Sequence, residues 1–332
     1  TRKGTVLLMA KPFFPWMGNK EKLVPYIHQL IPPHVKQFTE VFGGSGAVIL
    51  GLQPKKGRLD IYNDLNDDLF NEFCCVKEKS FSLAKELKFL PVHGRTPFAF
   101  YRDMAAHEPD FYRHIEEEKR VVAESTCFTE EEIRELLTIL DGNAKLFDVR
   151  RAAAFLFTTY GSFSGTGNSV GIKTVDPQAI VDKLPQVSRR MDSIFLEHQD
   201  ALVLIPKEDR PDGIIYADPP YMLTEKVYDV RFLPEHHIIL HDRARSCKGY
   251  VIISYGYDDR IIDLYKDDFF IISLKRTNPL SQTEGSTFRE LIITNYDPSP
   301  YLNKQLDIFG QATEAMWEPV ILHRPRRILK AD

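Results

Sequence analysis

The most informative segment of the chain reads Gly213-Ile214-Ile215-Tyr216-Ala217-Asp218-Pro219-Pro220-Tyr221. Its first five residues are mostly apolar, with β-branched and aromatic side chains, which is the composition of a buried strand. A carboxylate, two prolines and an aromatic residue follow directly. Because ligands of an open α/β sheet bind beyond the carboxyl ends of its strands, this segment predicts a strand that ends in a polar site.

The four residues after this strand suit the chemistry of an aromatic amine. The exocyclic amine of adenine is a poor nucleophile because its lone pair is conjugated with the ring. The Asp218 carboxylate and the Pro219 carbonyl can accept its two N–H hydrogen bonds and favour a tetrahedral nitrogen. Pro219 and Pro220 form a rigid turn, and Tyr221 offers a face on which an extruded base can stack. The alternative is a plain proline-rich turn with a surface aspartate.

A second motif lies near the start of the chain and reads Phe38-Thr39-Glu40-Val41-Phe42-Gly43-Gly44-Ser45-Gly46. A strand that ends in glycines lets a ligand approach the backbone closely. Asp64 follows the next strand, 18 residues after Gly46, a spacing that suits a ribose diol. Asp64 could equally cap a helix, and the glycines could form a tight turn without a ligand. Together the two motifs favour binding of an adenosine-type ligand.

The strand pattern predicts an α/β fold. Seven runs are rich in β-branched and aromatic residues, and they are residues 36–42, 58–62, 193–197, 213–217, 250–254, 269–275 and 289–295. Helical patterns separate most of them, which favours a parallel sheet with crossover helices. A short polar connection between the last two predicts an antiparallel pair that closes one edge of the sheet.

The middle of the chain has a different pattern. Residues 69–159 are mostly helical in periodicity, with amphipathic segments at 80–89 and 130–140. Thr129, followed three residues later by Glu132, is a capping-box pattern. A helical insertion between the second and third strands is the simplest interpretation.

An N-terminal motif completes a family pattern, and it reads Phe14-Pro15-Trp16-Met17-Gly18-Asn19-Lys20. Together with the glycine turn and Asp218-Pro219-Pro220-Tyr221, it resembles the Dam-type (D12) adenine-N6 DNA methyltransferases. The order of the motifs, with cofactor motifs first and the catalytic tetrad 172 residues beyond Gly46, is that of the alpha group. The resemblance implies a Rossmann-like, seven-stranded methyltransferase sheet with an inserted helical target-recognition domain.

The resemblance also implies ligands, site residues and domain limits. The cofactor would be S-adenosylmethionine and the substrate double-stranded DNA. The catalytic domain would comprise residues 1–68 and 172–332, with the target-recognition insertion at 69–171. The implied catalytic residues are Asp218, Pro219, Pro220 and Tyr221. The cofactor-binding residues would be Trp16, Lys20, Glu40, Phe42, Gly44, Gly46, Asp64, Asp200 and Asp218. Asp200 could instead only cap a turn.

One residue and one segment depart from the family pattern. Asn19 stands where the family has a second glycine. Residues 160–168 do not reproduce the aromatic-Asn-x-x-Gly pattern of Dam itself. The sequence therefore does not predict GATC as the target. A restriction enzyme as partner is compatible with the resemblance, and the oligomeric state is not determined by the sequence.

The charge, the cysteines and the histidines bear on nucleic-acid binding, disulfides and metal sites. The net charge of −4 does not itself indicate a nucleic-acid binder, because DNA affinity depends on local basic surface. The four cysteines have neither zinc-site nor disulfide-framework spacing. His236, His237 and His241 have helical spacing but lack further metal ligands, so we expect them on a helix surface and expect no metal site.

The expected location and the rival functions follow from the same features. The apolar part of residues 1–14 is too short for a signal peptide, and no apolar run reaches the roughly 20 residues of a membrane span. We therefore expect a protein of the cytoplasm of a bacterial or phage-infected cell. One rival is a methyltransferase that acts on RNA or on a protein amide nitrogen, although protein-glutamine methyltransferases usually carry Asn where Asp218 stands. The other is a catalytically silent DNA-binding module.

Overall fold

The computed structural model describes residues 9–89, 116, 119–134, 136–137, 148–162, 176–221, 232–277, 287–302 and 318–325. The chain divides into two compact units. The first comprises Thr1–Asn19 and Asp67–Leu196, and the second comprises Lys20–Asn66 and Glu197–Asp332. Among the helices formed by these residues, none has the length and apolar character that would let it cross a membrane.

The strands form one mixed sheet. They are β1 (Gln37–Glu40), β2 (Leu59–Asn63), β3 (Ile194–Glu197), β4 (Gly213–Ala217), β5 (Tyr250–Gly256), β6 (Phe270–Thr277), β7 (Thr287–Thr294) and β8 (Glu318–His323). Their order is β3-β2-β1-β4-β5-β7-β6-β8. Strands β2, β1, β4 and β5 run parallel, whereas the pairs β5–β7, β7–β6 and β6–β8 are antiparallel. The order of the first five matches a doubly wound sheet, whose topological switch point lies between β1 and β4.

The predicted α/β class is confirmed, but the prediction of seven strands is wrong because β8 adds an eighth. The antiparallel pairing of β6 with β7 is confirmed. That pair does not close the sheet, since β6 also pairs with β8 on its other side. Pro319 lies inside β8, and a proline argues against a strand when a sequence is considered alone. An edge strand tolerates it, because one side of its backbone needs no partner.

The helices, in chain order, are α1 (Val24–Leu30), α2 (Ala47–Gly51), α3 (Asp67–Glu78), α4 (Ser80–Phe89), α5 (Val149–Gly161), α6 (Pro177–Val181), α7 (Leu184–Met191), α8 (Ala201–Glu208), α9 (Pro234–Ser246), α10 (Asp259–Tyr265) and α11 (Ser299–Leu302). The amphipathic helix predicted at 80–89 is confirmed as α4. The predicted capping box is confirmed as well, since the Glu132 amide donates to Thr129 Oγ1 and the Thr129 amide donates to Glu132 Oε2.

Each unit has its own core. In the first unit, α5 begins at the cap formed by Asp148, whose side chain accepts from the Arg151 amide, and continues with three buried alanines. An aromatic cluster of Phe13, Phe14 and Phe73 packs in the same unit. In the second unit, the apolar side chains of β4, β5 and β7 pack against α8 and α9. This core makes the central strands a rigid support for the loops at their carboxyl ends.

The prediction that the histidines of α9 lie on the helix surface is wrong for His237 and His241, which are both buried. His237 Nδ1 lies 2.8 Å from the Tyr255 hydroxyl of β5. Burial lowers the pKa of His237 to about 4. Positions 237, 240, 241 and 244 form one face of the helix, and this face packs inward. The isoleucines at 238 and 239 are exposed instead.

The division of the chain into functional domains at 68 and 171 stays a prediction. The first compact unit includes α3 to α7, together with residues from the start of the chain. The segment at 160–168, which departs from the family pattern, lies mostly outside the described residues, as do residues 222–231.

Candidate active site

Asp218 lies directly after β4, whose five residues are all buried. β4 pairs in parallel with β1 on one side and with β5 on the other. The carboxylate therefore stands at the carboxyl end of the sheet, at the switch point between β1 and β4. The sequence-predicted tetrad occupies the position that the strand pattern indicated.

Both oxygens of Asp218 have partners. The Lys20 ammonium lies 2.7 Å from Oδ2, and the two side chains are only 8% and 18% exposed. Ser254 Oγ donates to Oδ1 at 2.8 Å. Because Ser254 has one hydroxyl proton and gives it to Asp218, the Tyr216 hydroxyl must be the donor in its 2.8 Å contact with Ser254 Oγ. The Tyr216–Ser254 pair on one oxygen and Lys20 on the other thus orient the carboxylate.

The ionisation of Asp218 is a balance between burial and these partners. Burial raises the pKa of Asp218, while the charge and hydrogen bond of Lys20 and the hydrogen bond of Ser254 lower it. The net pKa remains above the usual value for an aspartate. Lys20 and Ser254 therefore favour the charged carboxylate, which is the form that accepts hydrogen bonds from an amine.

Tyr221, the last residue of the tetrad, is held in place by groups from several elements. Its hydroxyl donates to Glu290 Oε2 of β7 at 3.0 Å. The Lys20 ammonium lies 4.9 Å from the centroid of its ring. Burial and the negative charges of Asp218 and Glu290 raise the pKa of Tyr221 well above its usual value. The phenol consequently stays protonated and remains a donor.

The glycine turn after β1 is tied to the end of β2. The Gly44 amide donates to Asp64 Oδ2 at 2.7 Å, and the Tyr62 hydroxyl donates to the Gly44 carbonyl at 2.8 Å. Gly44 and Gly46 have φ values of 51° and 65°, in the left-handed region that favours glycine. The turn and Asp64 therefore form one structural unit, as the two sequence motifs suggested.

Three acidic side chains lie at this end of the sheet, and the charges of Asp64 and Asp218 act on Glu40. Asp64 accepts from the amides of Gly44 and Asn66. Glu40 is buried, and its Oε2 accepts from the Ile49 amide in α2. Burial raises the pKa of Glu40 well above its usual value, and the charges of Asp218 and Asp64 raise it further. Such an acidic set beside a glycine turn suits a cationic ligand with ribose hydroxyls, which fits the sulfonium nucleoside that the sequence implies.

The remaining predicted cofactor residues have contacts of their own. Trp16 belongs to the first unit, where its ring packs against Phe14 and Phe155, whereas the others belong to the second unit. Phe42 packs edge-on against Phe232. Asp200 caps α8 by accepting from the Leu202 amide at 2.7 Å, and this contact leaves its second carboxylate oxygen for other partners. The structure thus brings Lys20, Glu40, Gly44, Asp64 and Asp218 to one end of the sheet and leaves the cofactor roles of Trp16, Phe42 and Asp200 as predictions.

Four residues of this site had no assigned role in the sequence analysis: Tyr216, Ser254, Glu290 and Asn63. Asn63 bridges the Val41 and Gln199 carbonyls through its side-chain amide. Ser254 carried a usable signal, because it is the one serine in the aliphatic and aromatic run of β5, near its carboxyl end. The register, which pairs Ala217 with Ile253, places Ser254 beside Asp218. Glu290 carried only a weak signal, a single carboxylate in a largely apolar strand.

Comparison with known proteins agrees with this geometry. Residues 16–279 match the family model of the D12 class N6 adenine-specific DNA methyltransferases. A curated relative, the Type II methyltransferase M1.LlaDCHI of Lactococcus lactis subsp. cremoris, is 24% identical over 310 residues, covering 86% of this chain and 95% of the relative.

Among the solved structures that match this chain is protein LPL1258 from Legionella pneumophila str. Philadelphia 1. It aligns with a TM-score of 0.23 and 16% identity, over 36% of this chain and 46% of that one. A likeness this slight does not bear on the fold. The family match spans both compact units and includes the whole of Asp218-Pro219-Pro220-Tyr221. The chain therefore belongs to the D12 class of N6 adenine-specific DNA methyltransferases.

Proposed function

We propose that this DNA adenine methyltransferase takes its methyl group from S-adenosylmethionine and acts on an adenine flipped out of double-stranded DNA. The observation that carries the proposal is the oriented Asp218 carboxylate at the switch point of the sheet, paired with Lys20 and Ser254. Around it lie a glycine turn, a set of carboxylates and an aromatic ring. These are the groups that an adenosine cofactor and an adenine base require.

The chain's own residues would prepare the amine for transfer. S-adenosylmethionine, when bound, supplies an electrophilic methyl group on a sulfonium. Asp218 and the Pro219 carbonyl accept the two N6–H hydrogen bonds, which localises the nitrogen lone pair and aims it at the donor. Asp218 does not need to be a strong base, because the proton leaves the amine after it has become alkylated. Burial of Pro219 excludes water from this side of the turn.

The cofactor would occupy the acidic end of β1 and β2. Asp64 is suited to the ribose hydroxyls, and Gly44 and Gly46 allow close approach to the backbone. Glu40, Phe42, Asp200, Lys20 and Trp16 complete the proposed cofactor set, in line with the family resemblance. The charges of Asp64 and Asp218 disfavour ionisation of Glu40, and a sulfonium cation nearby would favour it.

We assign recognition of the DNA target to residues 69–171, inserted between β2 and β3. Arg150, in α5, is exposed and lies 4.0 Å from Glu86, so its guanidinium is accessible to a phosphate. The relative named as a Type II methyltransferase supports a restriction enzyme as partner in a restriction-modification pair. Its DNA substrate would place the protein in the cytoplasm of a bacterial or phage-infected cell.

The function is tested by incubating the purified protein with methyl-labelled S-adenosylmethionine and duplex DNA from a methylation-free strain. After hydrolysis of the DNA, we expect the label in N6-methyladenine. The same reaction with duplex RNA and with a protein extract serves as the control for the rival acceptors. Label in either of those acceptors but not in DNA would contradict the proposal. Sequencing of the modified bases in the DNA would then give the target site.

Base flipping leads to a prediction for Tyr221. The N6 amine of a paired adenine cannot reach a donor bound at the strand ends, so the base must leave the duplex. With 2-aminopurine at the target adenine, wild-type protein should raise the fluorescence modestly, because the base stacks again on Tyr221. Tyr221→Ala should bind this DNA more weakly by about 1–3 kcal/mol, the value of base–aromatic stacking. Its fluorescence per complex should nevertheless be higher, because the flipped base no longer stacks on an aromatic ring that quenches it.

The control for this measurement places 2-aminopurine outside the target site, where neither protein should change its fluorescence. Unchanged fluorescence at the target under saturating wild-type protein would mean that the base stays stacked in the duplex. Base flipping onto Tyr221 would then be wrong.

A further inference from the structure

Glu290 is the one carboxylate in the apolar stretch of β7 that pairs with β5, and it reaches the active site from the antiparallel part of the sheet. In the register of β5 with β7 it stands opposite Gly256. Its Oε2 accepts a 3.0 Å hydrogen bond from the Tyr221 hydroxyl. A residue 69 positions along the chain thus contacts the ring of the catalytic tetrad.

The strand partner of Glu290 leaves room for this ring. A Cβ atom on Gly256 would lie 2.9 Å from Cδ2 and from Cε2 of Tyr221, which is closer than side chains pack. The ring therefore fits against the bare backbone of β5, while β7 holds its hydroxyl. The Lys20 ammonium lies 4.9 Å from the ring centroid. Tyr221 is fixed by contacts with β5, β7 and the segment before α1, in addition to its own turn.

We propose that Glu290 is a positioning residue, which holds the Tyr221 ring in the orientation that receives the flipped adenine. This inference rests on the proposed function of Tyr221 as the stacking surface. In this role Glu290 acts through its hydrogen bond with the phenol and not through a contact with the base. Without its acceptor the ring can turn about its side-chain bonds, and the base then meets a surface that is not preorganised.

The charge of Glu290 should set the strength of this positioning. The ionisable groups that act on its carboxyl are Lys20, Tyr221 and Asp218. Its partners on the neighbouring strands, Gly256 and Leu274, carry no ionisable side chain. Burial raises the pKa of Glu290 to about 7, although Lys20 and the Tyr221 hydroxyl oppose the rise and Asp218 adds to it. The ionised carboxylate is the stronger acceptor. Positioning should therefore weaken as the pH falls through 7.

The test is a double-mutant cycle of Glu290→Ala and Tyr221→Phe, with kcat/KM for duplex DNA measured at saturating cofactor. Alone, Glu290→Ala should lower kcat/KM by about tenfold, as expected for loss of one charged hydrogen bond. In the Tyr221→Phe background the same substitution should have almost no effect, because no hydroxyl remains to be held. Asp263→Asn, which alters an exposed carboxylate on α10 paired with Lys266, serves as the control and should leave kcat/KM unchanged.

Glu290→Gln provides a second measurement that a purely structural role would not affect. The amide keeps the size and an acceptor, so it should restore part of the activity lost in Glu290→Ala. Wild-type kcat/KM should fall below pH 7, and Glu290→Gln should lack this fall. Thermal unfolding of each variant verifies that it is folded.

The outcomes separate this inference from the function on which it rests. Equal losses from Glu290→Ala in the two backgrounds would overturn the positioning role while methylation of DNA stands. A fall below pH 7 that persists in Glu290→Gln would overturn the charge argument. Wild-type protein that transfers no methyl group to DNA would overturn the proposed function itself, and this inference with it.

Discussion

Asp218→Ala should reduce the rate of methyl transfer to DNA by roughly 10³-fold or more, within the range known for loss of a preorganised polar group at a reacting centre. In the proposed function the carboxylate accepts a hydrogen bond from N6, and alanine offers no acceptor at that point. The Pro219 carbonyl alone can engage only one of the two N–H groups. The nitrogen lone pair then stays conjugated with the ring, so the loss should appear in kcat.

The measurement is single-turnover methyl transfer at saturating DNA and cofactor, with DNA affinity determined separately. Asp218→Asn is the matched control, because it keeps the size of the side chain and one acceptor oxygen and should lose less activity than Asp218→Ala. In this variant the single oxygen can keep the Lys20 ammonium as its partner at the place of Oδ2, while the NH2 group takes the place of Oδ1 and faces the Ser254 hydroxyl, which can accept. Near-normal turnover of Asp218→Ala would contradict the assignment of N6 chemistry to this residue.

Lys20→Met should lower the free energy of unfolding at neutral pH by about 3–5 kcal/mol, the usual cost of leaving one member of a buried ion pair alone. The pair is buried on both sides, at 8% and 18% exposure, and its Nζ–Oδ2 distance is 2.7 Å. Lys36→Met is the matched control, because Lys36 pairs with Asp212 at 3.3 Å but both side chains are exposed. It should cost at most about 1 kcal/mol.

The loss of stability in Lys20→Met should change with pH in a definite direction, which a packing defect alone would not do. Burial raises the pKa of Asp218, and Lys20 is the strongest influence that lowers it, so the pKa rises further in Lys20→Met. A carboxyl whose folded pKa exceeds its unfolded pKa destabilises the fold increasingly as the pH rises above the unfolded value. The loss in Lys20→Met should therefore be larger at pH 8 than at pH 5.

Denaturant unfolding at the two pH values measures both effects. The double variant Lys20→Met with Asp218→Asn should recover much of the stability, because no unpaired charge remains buried. A loss in Lys20→Met that does not change with pH, or that persists in the double variant, would show that Lys20 contributes packing and not charge.

The local features of this fold follow from the sequence by itself. The strand before Asp218, the glycine turn, the helix α4 and the Thr129 capping box all depend on residues within a few positions of each other. Side-chain alternation, glycine conformation and capping act over that range, so the pattern determines them. The same holds for the chemistry of Asp218-Pro219-Pro220-Tyr221, whose residue types and place after a strand are enough to indicate an adenine amine as the acceptor.

Only the tertiary structure shows the features that depend on contacts between distant segments, such as the edge strand β8 and the buried face of α9. β8 could not be found from its own residues, because only its edge position makes Pro319 acceptable. The buried face of α9 carries two histidines, of which His237 contacts the Tyr255 hydroxyl of β5 and His241 packs against the rings of Tyr265 and Phe269. A helical pattern places apolar side chains inward, whereas here the imidazole of His237 lies inward because the Tyr255 hydroxyl is its hydrogen-bond partner.

The active site shows the same division. The sequence identified Asp218 and Tyr221 and assigned Lys20 to the cofactor, but it could not indicate that Lys20 pairs with a carboxylate 198 residues away. Nor could it indicate that Ser254 and Glu290 orient the tetrad from β5 and β7. A hydrogen bond needs atoms within about 3 Å. Which distant strands come that close is set by sheet order and register, since a shift of one residue would turn each side chain to the opposite face.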